Sequence, residues 1–242
     1  MKAVILAAGI GSRLRPLTNT VPKCLIEIKN GVSLLDYQIG ILKSVGFPEN
    51  QIFIVAGYKA NKIKEKYNSL KYIINEKYTF NNIYSFYLIK NAILDDFVLI
   101  NSDTLFPKIL LQQLTKEQGF STMVIDKKNT IGTEEMKVAV KKDGFIKRIS
   151  KELPLRISLG EYIGLSLFKL KDAEMIFKTI ENLLEEEKFN LWYEDAIDKM
   201  LVENRIRVKA YLIENIPWIE VDNIDDLRVA RKKIKKIENY AL

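Results

Sequence analysis

The side chains best suited to chemistry lie near the amino end of this 242-residue chain. Gly9-Ile10-Gly11-Ser12-Arg13-Leu14-Arg15-Pro16 is followed, after a few polar residues, by Pro22-Lys23-Cys24. Small residues let the backbone close on a ligand, and free N–H groups in such a turn favour an anion. Arg13, Arg15 and Lys23 add positive charge beside it. The combination suits a polyphosphate. Further along, Phe97-Val98-Leu99-Ile100 ends in Asn101-Ser102-Asp103. A carboxylate at the end of an apolar run either caps the next turn or holds a divalent cation, and a phosphate loop elsewhere favours the cation. The chain contains no histidine, so mechanisms that need an imidazole base, the Ser-His-Asp and Cys-His sets among them, are excluded. Carboxylate, lysine, arginine, tyrosine and metal chemistry remain.

These groups need elements to hold them. Met1–Ala8 is apolar without polar alternation, which predicts a strand buried on both faces. Val32–Ser44 has helical apolar spacing after an Asn30-Gly31 turn, and Gly46-Phe47-Pro48 ends it. Gln51–Ala56 reads as a buried strand, Asn61–Tyr67 as a short polar helix and Lys71–Asn75 as a third strand. That alternation predicts a parallel, three-layered α/β sheet. Asn75–Ser85 is polar and loop-like, and Ser85–Ala92 resumes as a helix. Asp103 then falls just past the carboxyl end of a buried strand, the edge where open α/β sheets bind ligands. Phe120–Asp126, Val138–Lys141, Phe145–Ile149, Gly160–Phe168 and Val208–Ile213 read as further strands, with a hairpin turn at Lys142-Asp143-Gly144. Asp126–Met136 reads as a polar surface loop, Ala173–Glu187 and the stretch after Asn190 as helices, and Ile224–Ala241 as a long terminal helix.

Composition narrows the class further. Hydrophobic residues at 48% and charged residues at 29% are those of a soluble globular protein, and no 18-residue apolar run predicts a membrane span. The chain enters its first strand with no signal-peptide layout, so a cytoplasmic location is expected. Cys24 is the one cysteine, which excludes an intrachain disulfide framework and points to a small buried filler. A net charge of +7 raises nucleic-acid binding as an alternative, but the densest run, Arg228–Lys236, reads as the solvated face of the terminal helix. No repeat or linker divides the chain, and one domain is expected. Leu14 stands where a dinucleotide fingerprint needs its third glycine, and no Gly-Lys-Ser/Thr triplet exists for a Walker loop.

The full string is more specific than its glycines. Leu6-Ala7-Ala8-Gly9-x-Gly11-Ser12-Arg13-Leu14-x-Pro16-Leu17-Thr18, then Pro22-Lys23-Cys24-Leu25, closely resembles the signature of the nucleotidyltransferases that activate sugar phosphates and phospho-alcohols with NTPs. The resemblance implies a Rossmann-like three-layer α/β/α fold with a mixed, mostly parallel central sheet. It implies a single domain over 1–242, with 1–105 holding the nucleotide and 106–242 the acceptor. Leu6, Ala7, Ala8, Gly9, Gly11, Ser12 and Ser102 would contact the nucleotide, and Arg13 and Lys23 would be the catalytic cations. Asp103, and Asp222 in the Val221-Asp222 turn, would share Mg²⁺ carried by the nucleotide. The segment Asn75-x-x-Tyr78 to Asn81-Asn82-x-Tyr84-Ser85 looks like the pyrimidine-binding stretch of phosphocholine and related cytidylyltransferases, implicating Tyr78, Asn82 and Ser85. Lys151 and the Gly160-Glu161 turn resemble a second signature, with Lys151 on the acceptor phosphate and Glu161 beside it. Trp192, Tyr193 and Trp218 are either ordinary packing or an aromatic box for an ammonium group, with Glu194 adding charge. The implied partners are CTP or another NTP and a small phosphorylated, phosphocholine-like acceptor, with no nucleic acid or membrane, and a homo-oligomer is left open. The alternatives are a sugar-1-phosphate enzyme using GTP, UTP or dTTP, and a nucleotide-binding regulatory subunit without turnover.

Overall fold

Lys2–Ala7 forms the first strand, β1, in a computed structural model that describes residues 1–128 and 131–241. Its side chains alternate between two apolar clusters, Ala3, Ile5 and Ala7 on one face and Val4 and Leu6 on the other. Neither face is polar, which is the condition for a strand in the middle of a sheet covered on both sides. β2 (Glu27–Lys29) and β3 (Val32–Ser33) form a small hairpin whose turn residues Asn30 and Gly31 have φ of 40° and 82°. The hairpin and its cap move the start of α1 (Leu34–Val45) to Leu34 from the expected Val32, because Ser33 and Asp36 form a capping box there. Next come β4 (Ile52–Ala56), α2 (Ala60–Lys66), β5 (Lys71–Ile74), α3 (Asn82–Tyr87) and β6 (Phe97–Asn101). α3 begins ahead of Ser85 because the Asn81 side chain accepts from the Asn82 N–H, and a 3-10 turn at Leu88–Asn91 follows it.

The remaining elements are β7 (Thr104–Leu105), α4 (Lys108–Leu114), β8 (Ser121–Lys127), β9 (Lys137–Val140), β10 (Ile146–Ser150), β11 (Gly160–Phe168), α5 (Leu170–Glu185), α6 (Tyr193–Val202), β12 (Val208–Ile213), β13 (Ile219–Glu220) and α7 (Ile224–Glu238). The short helix α4, which buries Leu110, Leu111 and Leu114, has no counterpart in the sequence reading. α7 stops at Glu238, short of Ala241.

A nine-stranded sheet joins β10-β9-β11-β6-β1-β4-β5, with β8 paired to β11 and β12 to β8. β5, β4, β1, β6, β8, β12 and β9 point the same way, while β11 and β10 run against them. The sheet is mixed and mostly parallel, as expected. α1, α2, α4 and α7 pack on one face and α3, α5 and α6 on the other, giving three layers. Among the described residues no helix is long and apolar enough to cross a membrane.

Two departures bear on the site. The stretch Asp126–Met136, expected to be a surface loop, starts as the last residues of β8 and carries buried Ile131 and Met136, while Asn129 and Thr130 lie outside the described residues. Glu134, Glu135 and Met136 line the main cleft, so this segment is part of its wall. The second is the two-residue antiparallel ladder β7–β13, in which Thr104 faces Glu220 and Leu105 faces Ile219. The Val221 N–H extends it to the Asp103 carbonyl at 2.9 Å, so residues far apart in sequence meet at one point.

Candidate active site

The carboxyl ends of β1 and β6 open into a cleft of about 640 Å³. The Ser102 N–H donates to the Leu6 carbonyl at 3.1 Å, which ties the two parallel strand ends together beneath it. β1 gives way to the glycine turn here. Gly11 has φ +66°, a backbone state that glycine adopts freely, and a Cβ there would stand 2.8 Å from the Lys23 Cβ. The Thr18 hydroxyl donates to the Gly11 carbonyl at 3.0 Å, and the Tyr58 hydroxyl to the Thr18 carbonyl at 3.0 Å, which pins the loop. Among the described residues no carbonyl receives the N–H groups of Gly9, Ile10 or Gly11. Gly9, Ile10 and Gly11 line the cleft and a Cβ at Gly9 would meet nothing within 4 Å, so a turn with unpaired backbone N–H groups, the kind that suits an anion, borders open space.

Lys23 crosses the floor. Its ammonium donates to Asp103 Oδ2 at 2.8 Å and to Asp222 Oδ1 at 2.7 Å. The Arg13 guanidinium takes the other Asp222 oxygen at 2.7 Å. Burial favours loss of the Lys23 proton, but Asp103 and Asp222 outweigh it and hold the pKa above its ordinary value. Burial likewise opposes the Asp222 charge, yet Lys23 and then Arg13 keep that carboxyl below the usual range. The backbone of Asp222 is fixed by the start of α7, where Asp226 Oδ2 accepts from the N–H groups of Asp222 and Asn223 at 3.0 Å each.

A third carboxylate, Glu220, completes the cluster: one oxygen each from Asp103, Glu220 and Asp222 lies within 4.8 Å of the others. Loss of hydration, followed by the charges of Asp103 and Asp222, pushes the Glu220 carboxyl up. The buried Oδ1 of Asp103 has no hydrogen-bond partner among the described residues. An unpartnered anionic oxygen within an all-oxygen donor set fits a hard divalent cation. The sequence reading missed Glu220, although Ile219-Glu220-Val221-Asp222 alternates and residues two apart in a strand share a face.

Leu6, Ala7, Ala8, Gly9, Gly11, Ser12, Arg13, Lys23, Ser102, Asp103 and Asp222 all line the cleft. Tyr78, Asn82 and Ser85 line it too, on the α3 side, as do Lys151, Glu161, Trp192 and Glu194. Asn82 already spends its amide on protein, accepting from the Tyr193 N–H at 2.9 Å and donating to Glu194 Oε2 at 3.5 Å. The Glu161 carboxylate is buried and paired with Lys128, and burial raises its pKa against that charge. Glu194 is 3% exposed, with its carboxyl pushed up to about 7 by burial.

The expected grouping fails at three residues. Arg15 is exposed and outside the cleft lining. Tyr193 is fully buried, its ring stacked on Phe86 at 4.9 Å and its hydroxyl donating to Tyr162 at 3.0 Å, because the first turn of α6 points it into the core. Trp218 also lies outside the lining, with Nε1 donating to Asp126 Oδ2 at 2.9 Å and the Lys128 ammonium over its ring. Trp192 alone of the three aromatics faces the cleft, and the Lys151 ammonium stands 4.5 Å from its ring centroid. No box of Trp192, Tyr193 and Trp218 forms. Burial pushes the Cys24 thiol up to about 12, which makes it a packing group.

The chain matches proteins already described. A choline-phosphate cytidylyltransferase of Streptococcus pneumoniae is 30% identical, over 97% of this chain and 99% of that one. A CTP:phosphoglutamine cytidylyltransferase of Campylobacter jejuni is 29% identical, over 96% and 100%. A solved structure of CTP:phosphocholine cytidylyltransferase from Streptococcus pneumoniae superposes with a TM-score of 0.78 at 28% identity, covering 96% of this chain and 98% of that one. The sequence model of the nucleotidyl transferase family matches residues 2–237. A glycine turn with open N–H groups, set against a lysine held by two carboxylates, thus comes with agreement along nearly the whole chain, and the protein belongs to the nucleotidyl transferase family.

Proposed function

We propose that this enzyme is a magnesium-dependent cytidylyltransferase that joins CTP to a small phosphorylated alcohol or phosphonate and releases pyrophosphate. The observation that carries the reading is the Lys23 ammonium bridging Asp103 and Asp222 beneath an anion-binding turn. The relatives named for phosphocholine and phosphoglutamine support a small phosphorylated acceptor. An acceptor oxygen bonds to the α-phosphorus of CTP as the bond to the bridging oxygen breaks, and pyrophosphate leaves. An acceptor phosphate is already ionised, so no general base is needed, and a chain without histidine can do the work.

The difficulty is the meeting of two anions while charge grows on the leaving group, so positioning and electrostatic stabilisation dominate. The Gly9–Gly11 donors and Arg13 would hold the triphosphate. Lys23 would move from the carboxylates to the phosphates when the nucleotide enters. Asp103, Glu220 and Asp222 would hold Mg²⁺, which would supply charge neutralisation to the phosphates. Tyr78, Asn82 and Ser85 would border the pyrimidine. Lys151 would meet the acceptor phosphate, with Trp192, Glu194 and Glu161 lining the space around the rest of the acceptor. In this reading one domain does both jobs, 1–105 for the nucleotide and 106–242 for the acceptor. The demand for CTP implies the cytoplasm.

The test is pyrophosphate release measured across CTP, UTP, GTP and dTTP against phosphocholine, other phospho-alcohols, a phosphonate and sugar-1-phosphates, with magnesium. Turnover confined to CTP and small acceptors is expected. Turnover with sugar-1-phosphates alone would transfer the assignment to that class, and none with any pair would favour a regulatory subunit.

A further inference from the structure

Asn75 lies just beyond the end of β5, outside the cleft lining, yet it is polar and 1% exposed. Its N–H donates to the Ala56 carbonyl at 2.8 Å, which continues the β4–β5 pairing by one residue. The strand alternation then turns its side chain toward α3, on the same face as Ile73. There its amide Nδ2 donates to Ser85 Oγ at 2.9 Å, and Ser85, 5% exposed, lines the cleft. In this orientation the amide nitrogen donates, the serine oxygen accepts and its own hydrogen must go elsewhere, while Asn75 Oδ1 stays buried without a partner among the described residues. In a helix the usual outlet is the carbonyl four residues back. The Ser85 hydroxyl makes no such bond to the Asn81 carbonyl, and no acceptor for its hydrogen is found among the described residues. The hydrogen is left for the cleft.

We propose that Asn75, without touching any ligand, fixes the Ser85 hydroxyl as a donor and so selects a nucleobase with an acceptor on its pairing edge. The inference rests on the cytidylyltransferase reading and names what makes the site choose CTP. Cytosine presents an unprotonated N3 to such a donor. Uracil presents N3–H, which would set donor against donor or leave the serine hydrogen buried and unpaired. Leaving a buried donor unsatisfied costs about 1–3 kcal/mol, or roughly a fivefold to hundredfold preference. Asn75 is therefore a positioning residue, and Ser85 is the group that meets the base.

The experiment compares CTP, UTP and 3-deazacytidine triphosphate, in which C–H replaces N3, by kcat/KM and by calorimetric affinity. It uses the wild type, Asn75→Asp and the volume-preserving Asn75→Leu, each checked for folding by thermal melt. The wild type should favour CTP over both analogues by roughly tenfold or more. In Asn75→Asp the new carboxylate accepts the serine hydrogen and turns it inward. The preference over the deaza analogue should fall to about twofold or less, and UTP should gain. Asn75→Leu frees the hydroxyl to rotate, and the preference should fall part of the way. A folded variant that weakens all three nucleotides alike, or keeps the wild-type ratios, would overturn the proposal. Equal use of CTP and the deaza analogue by the wild type would overturn it too, while leaving the function intact. A wild type that neither binds nor uses CTP would remove the cytidylyltransferase reading itself, and this inference with it.

Discussion

Lys23 illustrates how one side chain can serve structure and chemistry by turns. Its ammonium neutralises Asp103 and Asp222 directly and is only 12% exposed. Removing it leaves facing carboxylates without their counter-ion, which is costly when the charges are partly buried. Lys23→Ala should lower kcat roughly 100- to 1000-fold, as loss of one preorganised transition-state donor does. Its melting temperature should also fall in chelator and recover with added magnesium, read by scanning calorimetry. Glu194 gives a separate prediction at the residue scale. Burial raises its carboxyl to about 7, so the folded chain binds this proton more tightly than the unfolded one. The stability it contributes is full below the ordinary glutamate range and is lost as pH climbs through about 7. Glu194→Gln, which keeps the neutral form, should gain up to about 3 kcal/mol on the wild type between pH 5 and pH 8 in urea titrations. A difference between the two proteins that does not change with pH would remove that account.

Among the elements, α1 depends on a single acid. Asp36 accepts from the Ser33 N–H and hydroxyl and from Tyr67, and pairs with Lys66, linking the cap of α1 to the end of α2. Burial opposes its charge, but Lys66, Ser33 and Tyr67 draw its pKa down to about 2. Asp36→Ala should cost about 2–3 kcal/mol at neutral pH, the worth of a cap plus charge-assisted hydrogen bonds. That deficit should shrink as pH falls toward 2, because the wild-type carboxylate is then protonated as well. The turn after β4 depends on an absence of side chain. A Cβ at Gly57 would stand 2.6 Å from the Tyr78 Cβ and 2.9 Å from the Ala8 carbonyl oxygen. Gly57→Ala should therefore cost about 1–3 kcal/mol and weaken nucleotide affinity, since the residue it displaces belongs to the cleft wall. Calorimetry on the folded variant reads both effects.

At the scale of the whole molecule, the carboxylate cluster joins the middle of the chain to its carboxyl end. Asp103 follows β6, and Glu220 and Asp222 flank the junction of β13 with α7, so an ion held by all three would cross-link elements that separate on unfolding. A divalent cation at roughly 100 times its Kd should raise stability by about 3 kcal/mol, and chelation should remove both that increment and turnover. Thermal melts with magnesium, and with Asp222→Asn as the control, measure it. Much of this could be read from local pattern. The two-faced apolar run of β1, the glycine turn after it and the placement of Asp103 past β6 all depend on neighbours within a few residues, where sterics and periodicity act. Periodicity did not reveal α4, whose stretch is short enough for tertiary packing to decide its form. The aromatics at 192, 193 and 218 show a different limit: residue type marks an apolar surface but not the direction it faces. Only packing against Phe86 and the bond to Asp126 separate Tyr193 and Trp218 from the cleft.

The chain on its own determined the buried strand, the glycine turn after it, the absence of imidazole chemistry and the signature that carries the family. The tertiary structure alone decided that Glu220 joins Asp103 and Asp222, that Lys23 lies between two of them, and that Asn75 orients Ser85. The reason is physical. Turn and strand conformation arise from torsions and contacts along the chain, whereas these meetings arise from strand pairing and buried hydrogen bonds between residues from about ten to more than a hundred positions apart.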